Sequence, residues 1–150
     1  MSEHHATITW KRTSSDFSYE TYNRAHEVKF KNGDIVVPAS SAPAFKGDPE
    51  RVDPEEMFVA ALSNCHMLTF LALCARKRIT VESYEDDASG VLDKGPDGKL
   101  WMTHVTLRPR VRFAEGVNVD KAAMDDLHHR SHDNCFIASS VKTIVTVEAR

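Results

Sequence analysis

The chain has 150 residues, a length that fits one domain spanning 1–150, with 41% hydrophobic and 27% charged side chains. Its net charge is -3, which leaves no electrostatic footprint for nucleic acid or an anionic membrane. The start, Met1-Ser2-Glu3-His4-His5, lacks the order of a signal peptide, and no unbroken apolar run approaches the ~20 residues of a membrane span. The expectation is a cytoplasmic protein with neither nucleic acid nor membrane as partner.

In chain order, Ala6–Trp10 alternates weakly and reads as a strand. His26–Phe30 alternates too, and Lys31-Asn32-Gly33-Asp34 is a turn signal leading into a strand at Ile35–Val37. Residues 38–54 carry four prolines, which is loop composition. Asp53 then suits an N-cap, Pro54 the first helical position, and Glu56 the third residue of a capping box. From Pro54 to about Lys77 no breaker occurs. The segment predicts a helix about 36 Å long at 1.5 Å per residue. Its middle, Met57–Ala75, is apolar on nearly every face, the mark of a buried helix. One small domain covers such a helix poorly, so a second subunit is expected to share the task.

Ile79–Glu82 begins another strand region, and Lys94–Lys99 is a hairpin turn. Trp101–Phe113 reads as one long strand. Val119–His132 returns to helical spacing through Ala122, Ala123, Met124 and Leu127, and Val141–Val147 makes a last strand. Hairpins beside one long helix point to an α+β domain with a mainly antiparallel sheet.

Three cysteines are an odd count, too few for a disulfide scaffold. In a reducing compartment such residues are more often catalytic, redox-active or metal-binding. Cys65 lies mid-helix, where a small buried hydrophobe is the plain reading. Asn64, His66 and Thr69, however, set polar groups around it in an apolar stretch. Cys135 follows Asp133-Asn134, either of which can cap a short helix over Phe136–Ser140 and so place the thiol at a helix N-terminus that favours thiolate. Cys74, nine residues after Cys65, points about 180° away and ~13 Å along the axis. It reads as core. His128, His132 and Cys135 at i, i+4 and i+7 form an alternative, a zinc-type cluster lacking a CxxC pair. A small-molecule binding module without chemistry is another alternative. A Cys65–His66 hydrolase pair is disfavoured, because adjacent helix positions diverge by about 100°. Thiolate chemistry needs a nearby cation, and Arg24 is one candidate among many.

The stretches Arg24-Ala25-His26, Ala44–Pro49, Pro54–Leu71, with Ser63-Asn64-Cys65-His66 inside it, His128–Ala138 and Ser140–Thr143 resemble the OsmC/Ohr family of thiol-dependent hydroperoxide reductases, nearest to its OsmC-like branch. The resemblance spans nearly the whole chain. It implies an OsmC-like α+β fold, with an antiparallel β-sheet packed on a long buried central helix, in an intertwined homodimer. It also implies that Cys65 matches the peroxidatic cysteine, Cys135 the resolving cysteine, Glu55 the active-site glutamate and Arg24 the active-site arginine. The implied activity is reduction of organic hydroperoxides, and less efficiently of hydrogen peroxide, through a Cys65 sulfenate and a Cys65–Cys135 disulfide, in oxidative stress defence. No cofactor is implied. The implied partners are a second copy of the chain, the hydroperoxide and a dithiol reductant such as a lipoyl-type dithiol. Ser63-Asn64 departs from the small-residue pair common before the first cysteine. Ten residues along a helix put Glu55 ~15 Å from Cys65; either the first turn bends away or the site mixes residues of two subunits, and the expectation adopted is the second, with antiparallel central helices bringing Glu55 of one subunit toward Cys65 of the other.

Overall fold

A computed structural model describes residues Met1–Arg150. The chain forms two compact units, Met1–Met57 and Phe58–Arg150.

In the first unit, β1 (Thr7–Thr9), β2 (His26–Phe30) and β3 (Ile35–Ala39) make an antiparallel sheet in that order. The β2–β3 turn holds Lys31, Asn32 and Gly33 at positive φ, which explains the Asn-Gly signal. Val28 and Ala39 are buried beneath the sheet. The proline-rich segment returns to β3 at Val52, where Ser40 N donates to Val52 O at 3.0 Å and Val52 N to Pro38 O at 3.2 Å. The capping box forms as expected. Glu56 N donates to Asp53 Oδ1 at 2.8 Å, and Asp53 N donates to Glu56 Oε2 at 3.0 Å.

That box starts α1 (Pro54–Arg76), which opens in the last residues of the first unit. Its buried positions are Leu62, His66, Phe70, Leu73 and Cys74, a single stripe at spacings of three and four residues. Each half of the stripe meets its own core. Leu62 packs with Val105 and Leu107, while Phe70, Leu73 and Cys74 pack with Leu127. Cys74 is therefore core, as its spacing from Cys65 suggests. The most apolar part of α1 has a mean hydropathy of 1.7 and is long and apolar enough to cross a membrane, which the count of unbroken apolar runs overlooked. The packed stripe identifies it instead as the core helix of this fold.

The rest of the second unit comprises β4 (Val81–Asp86), β5 (Ser89–Lys94), β6 (Leu100–Leu107), β7 (Pro109–Phe113), α2 (Lys121–Asp133) and β8 (Ile144–Val147). β4 and β7 pair antiparallel, and β5, β6 and β8 form a second sheet. Two expectations need correction. The Trp101–Phe113 strand is two strands that serve different sheets. At Arg108 the backbone N–H leaves the ladder to donate to Asp86 Oδ1 at 2.6 Å, and Pro109 has no N–H to offer. The mainly antiparallel pairing appears as expected, with one exception: β8 runs parallel to β6 after the crossover through α2, so the sheet of β5, β6 and β8 is mixed. After α2 there is no helix over Phe136–Ser140, only a 3-10 turn at Ala138–Ser140.

Candidate functional site

Cys65 sits on the half-buried flank of α1, one residue off the buried stripe, and Thr69 Oγ1 donates to its carbonyl oxygen at 2.9 Å. Cys135 lies beyond the α2 C-cap at Asn134 and is 1% exposed. Its backbone is pinned on both sides. Cys135 N donates to His132 O at 3.1 Å, and Ser139 N donates to Cys135 O at 3.0 Å. Ala138 N donates to Cys135 Sγ at 3.4 Å.

The second unit brings the two thiols together. Burial pushes the Cys135 thiol up, and the adjoining Cys65 thiol pushes it further the same way, while the Ala138 N–H opposes them. Both cysteines are free. This corrects the expectation that a helix N-terminus would favour Cys135 as thiolate. A single 3-10 turn carries little dipole, and burial outweighs it. The result is an asymmetric pair, with Cys65 reachable from solvent and Cys135 sheltered and held protonated.

Below the thiols, on the buried stripe, His66 Nε2 and His128 Nδ1 share a hydrogen bond of 3.1 Å. Their rings stack at 5.4 Å and 9°, and Phe70 stacks on His128 at 4.5 Å. Burial, then the charges His128 and His132 would carry, brings His66 down to about 4. Burial also lowers His128, against the opposing pull of Asp125 and Asp86. Both rings are thus neutral at pH 7, one donating and the other accepting. His66 Nδ1, His128 Nε2 and His132 Nδ1 are buried without a partner. His66 is turned into the core and is not a base for Cys65. Sequence reasoning missed this pair. The available signal was a histidine at a stripe position between Leu62 and Phe70, and another next to Leu127. The metal alternative loses its geometry here: α2 ends at Asp133, so Cys135 is off the helical face, and no three His, Cys, Asp or Glu side chains converge on a metal position.

Arg24 and Glu55 belong to the first unit. Arg24 is 9% exposed. Its fork donates to two backbone carbonyls, Nη1 to Tyr22 O at 2.7 Å and Nη2 to Tyr19 O at 2.6 Å. Its guanidinium lies over the Tyr22 ring at 4.0 Å and near the Tyr19 ring at 5.3 Å. No carboxylate pairs with it. Glu55 Oε2 is buried with no partner, so the structure does not join Glu55 to Arg24 within one chain. Beside Arg24 lies a cavity of about 330 Å³ walled by Trp10, Phe17 and Tyr22.

The OsmC-like protein family matches residues 47–150. An OsmC-like protein of unknown function from Vibrio cholerae is 45% identical, with a TM-score of 0.94 and coverage of 100% of both chains. An organic hydroperoxide resistance protein from Elizabethkingia anophelis is 17% identical with a TM-score of 0.74, covering 99% of this chain and 94% of its own. The organic hydroperoxide resistance protein OhrB of Bacillus subtilis is 18% identical with a TM-score of 0.69, covering 97% and 98%. The two distant structures share the fold. The family match and the Vibrio relative establish membership: this chain belongs to the OsmC-like family and has its α+β fold.

Proposed function

We propose that the protein is a cytoplasmic thiol peroxidase that reduces organic hydroperoxides. The observation that carries this reading is the asymmetric thiol pair, Cys65 half-exposed and Cys135 buried beside it. The Cys65 thiolate attacks the distal oxygen of R–O–O–H. The O–O bond breaks, the alkoxide takes a proton and leaves as alcohol, and sulfur becomes a sulfenic acid. The Cys135 thiol then attacks the sulfenic sulfur, water leaves, and a Cys65–Cys135 disulfide forms. Two electrons from an external dithiol restore both thiols. A raised pKa suits Cys135 to this order of events, because it stays protonated while Cys65 meets the peroxide.

Arg24 supplies the positive charge that steadies the thiolate and the developing oxyanion, and Glu55 orients its fork. Each lacks that partner within one chain, which favours a homodimer in which a second copy completes the pair. The unburied apolar surface of α1, with Leu68 57% exposed, supports the same assembly.

Cys65→Ser is expected to abolish consumption of cumene hydroperoxide, by roughly a thousandfold or more as for other nucleophile deletions. Undiminished turnover would sink the proposal. Mass spectrometry after one equivalent of peroxide is expected to show the Cys65–Cys135 disulfide in the wild type and not in Cys135→Ser.

A further inference from the structure

Cys65 lies on α1 and Cys135 just past the end of α2, so the spacing of the two thiols depends on how α2 is registered against α1. A disulfide tolerates little error in that spacing. Its two Cα atoms must lie about 4.4–6.8 Å apart, with a defined torsion about the sulfurs. Most of the contact between α1 and α2 does not set it. Phe70, Leu73 and Cys74 meet Leu127, with Met124 packed beside them. Apolar contact is non-directional, and such a core accepts small shifts at small cost.

One contact is directional. The bond between His66 Nε2 and His128 Nδ1 is the one hydrogen bond that α1 and α2 exchange. The other polar link nearby, Lys77 Nζ to Asp126 Oδ2 at 3.3 Å, is exposed and lies beyond the end of α1. Both imidazoles are buried, and their planes are parallel within 9°. A slip of α2 by one residue's rise, about 1.5 Å, breaks the bond. It adds two unpaired nitrogens to those of His66, His128 and His132 that already lack partners, at a depth where solvent does not replace them. A single buried polar contact in an apolar interface is the means by which packed helices specify register.

The bond is also close to both thiols along the chain. His66 is the residue after Cys65. On the other helix, the last turn of α2 leads from His128 to His132, whose carbonyl accepts from Cys135 N at 3.1 Å. Each step between bond and thiol is helix or cap, so the pair and the two thiols move together.

We propose that His66 and His128 are positioning residues, whose buried hydrogen bond holds α1 and α2 in the register at which Cys65 and Cys135 close a disulfide. The inference rests on the thiol-pair reading of the function, and it asks neither imidazole to act as a base.

Glutathione exchange tests it without peroxide. The S–S bond of oxidised glutathione breaks, the Cys65–Cys135 bond forms, and two electrons and two protons pass to two reduced glutathiones. The equilibrium constant at pH 7.5, read by mass spectrometry after acid quench, is expected to fall roughly threefold to tenfold in His66→Leu/His128→Leu, the factor that one net hydrogen bond is worth. His66→Gln, whose amide reaches as far as Nε2, is expected to stay within about twofold of the wild type. A role in packing alone lowers resistance to urea and leaves this constant unmoved. An unchanged constant in the leucine variant overturns the proposal, and so does an equal fall in His66→Gln. Should the leucine variant not fold, His66→Asn, whose amide stops short of His128, takes its place with the same two outcomes. If the wild type forms the disulfide but consumes no hydroperoxide, the peroxidase reading fails and the same constants still decide the positioning role. If the wild type forms no Cys65–Cys135 disulfide in any glutathione buffer, both ideas fall.

Discussion

The two units bury their nitrogen bases in opposite ways. The first keeps a full charge inside: the Arg24 guanidinium is held by two carbonyls and two tyrosine rings, with no carboxylate near enough to pair. The second gives the charge up: His66 and His128 stack as neutral rings and leave outward nitrogens without partners. The contrast follows from chemistry. A guanidinium cannot shed its proton, so burying it demands acceptors and π-faces. An imidazole sheds its proton readily, so burial is met by titration. A cation retained without a carboxylate remains available to an anionic centre, whereas a neutral imidazole stack contributes to packing.

The sharpest way to break this comparison is to remove the guanidinium. Arg24→Met leaves the Tyr19 and Tyr22 carbonyls without donors and is expected to destabilise the protein by about 4 kcal/mol, at ~1–3 kcal/mol per orphaned acceptor plus lost stacking. Arg24→Lys restores charge but not the planar fork, and recovers less than half of that loss. Urea unfolding measures both. A loss under ~1 kcal/mol in Arg24→Met would mean that water replaces the fork freely.

The histidine side of the comparison is exposed by acid. The folded pKa of His66, about 4, lies below its ordinary value of 6.5. The unfolded chain therefore binds the proton first, and stability is full above pH 6.5. It falls as pH drops from 6.5 toward 4, by up to about 3 kcal/mol in total and about 2 kcal/mol by pH 5. His128 is lowered by burial in the same direction. The wild type is expected to lose that amount between pH 7.5 and pH 5. His66→Leu alone leaves His128 Nδ1 unpaired and lowers stability at pH 7.5. His66→Leu/His128→Leu removes both partners, recovers much of the loss and flattens the acid dependence. A wild type equally stable at pH 7.5 and pH 5 would refute the neutral pair.

What the sequence foretold follows how locally each feature is determined. The capping box, the Asn-Gly turn and the helical spacing of α1 involve residues within a few positions of one another. All appear as read. The split at Arg108–Pro109 was marked by a proline inside a strand pattern. Its cause, an Asp86 carboxylate 22 residues away taking the backbone N–H, is not local. The parallel seat of β8 depends on the whole crossover through α2. The His66–His128 contact spans 62 residues and leaves no periodic trace. The nearness of Cys65 to Cys135 spans a similar distance, and it was the family resemblance that matched the two to each other. For Arg24 the sequence offered one basic residue among 19, and nothing in its neighbours announced the two carbonyls that hold it.

The smallest expected difference between the units lies at their helix starts. α1 opens on a reciprocal box, with Asp53 and Glu56 each satisfying the other's N–H. α2 opens on a one-sided cap, where Asp120 Oδ1 accepts from Ala123 N at 2.8 Å. Losing a cap costs about 1 kcal/mol. Asp53→Ala also leaves Glu56 bonded to an N–H whose own residue no longer anchors the turn. Asp53→Ala is therefore expected to cost about 1 to 1.5 kcal/mol and Asp120→Ala about 0.5 to 1 kcal/mol, measured by urea unfolding. Glu56→Ala distinguishes the cause. If the box is the reason, Glu56→Ala lowers the cost of Asp53→Ala toward that of Asp120→Ala; if the two costs stay apart in that background, the difference belongs to the apolar load that α1 carries and not to its cap.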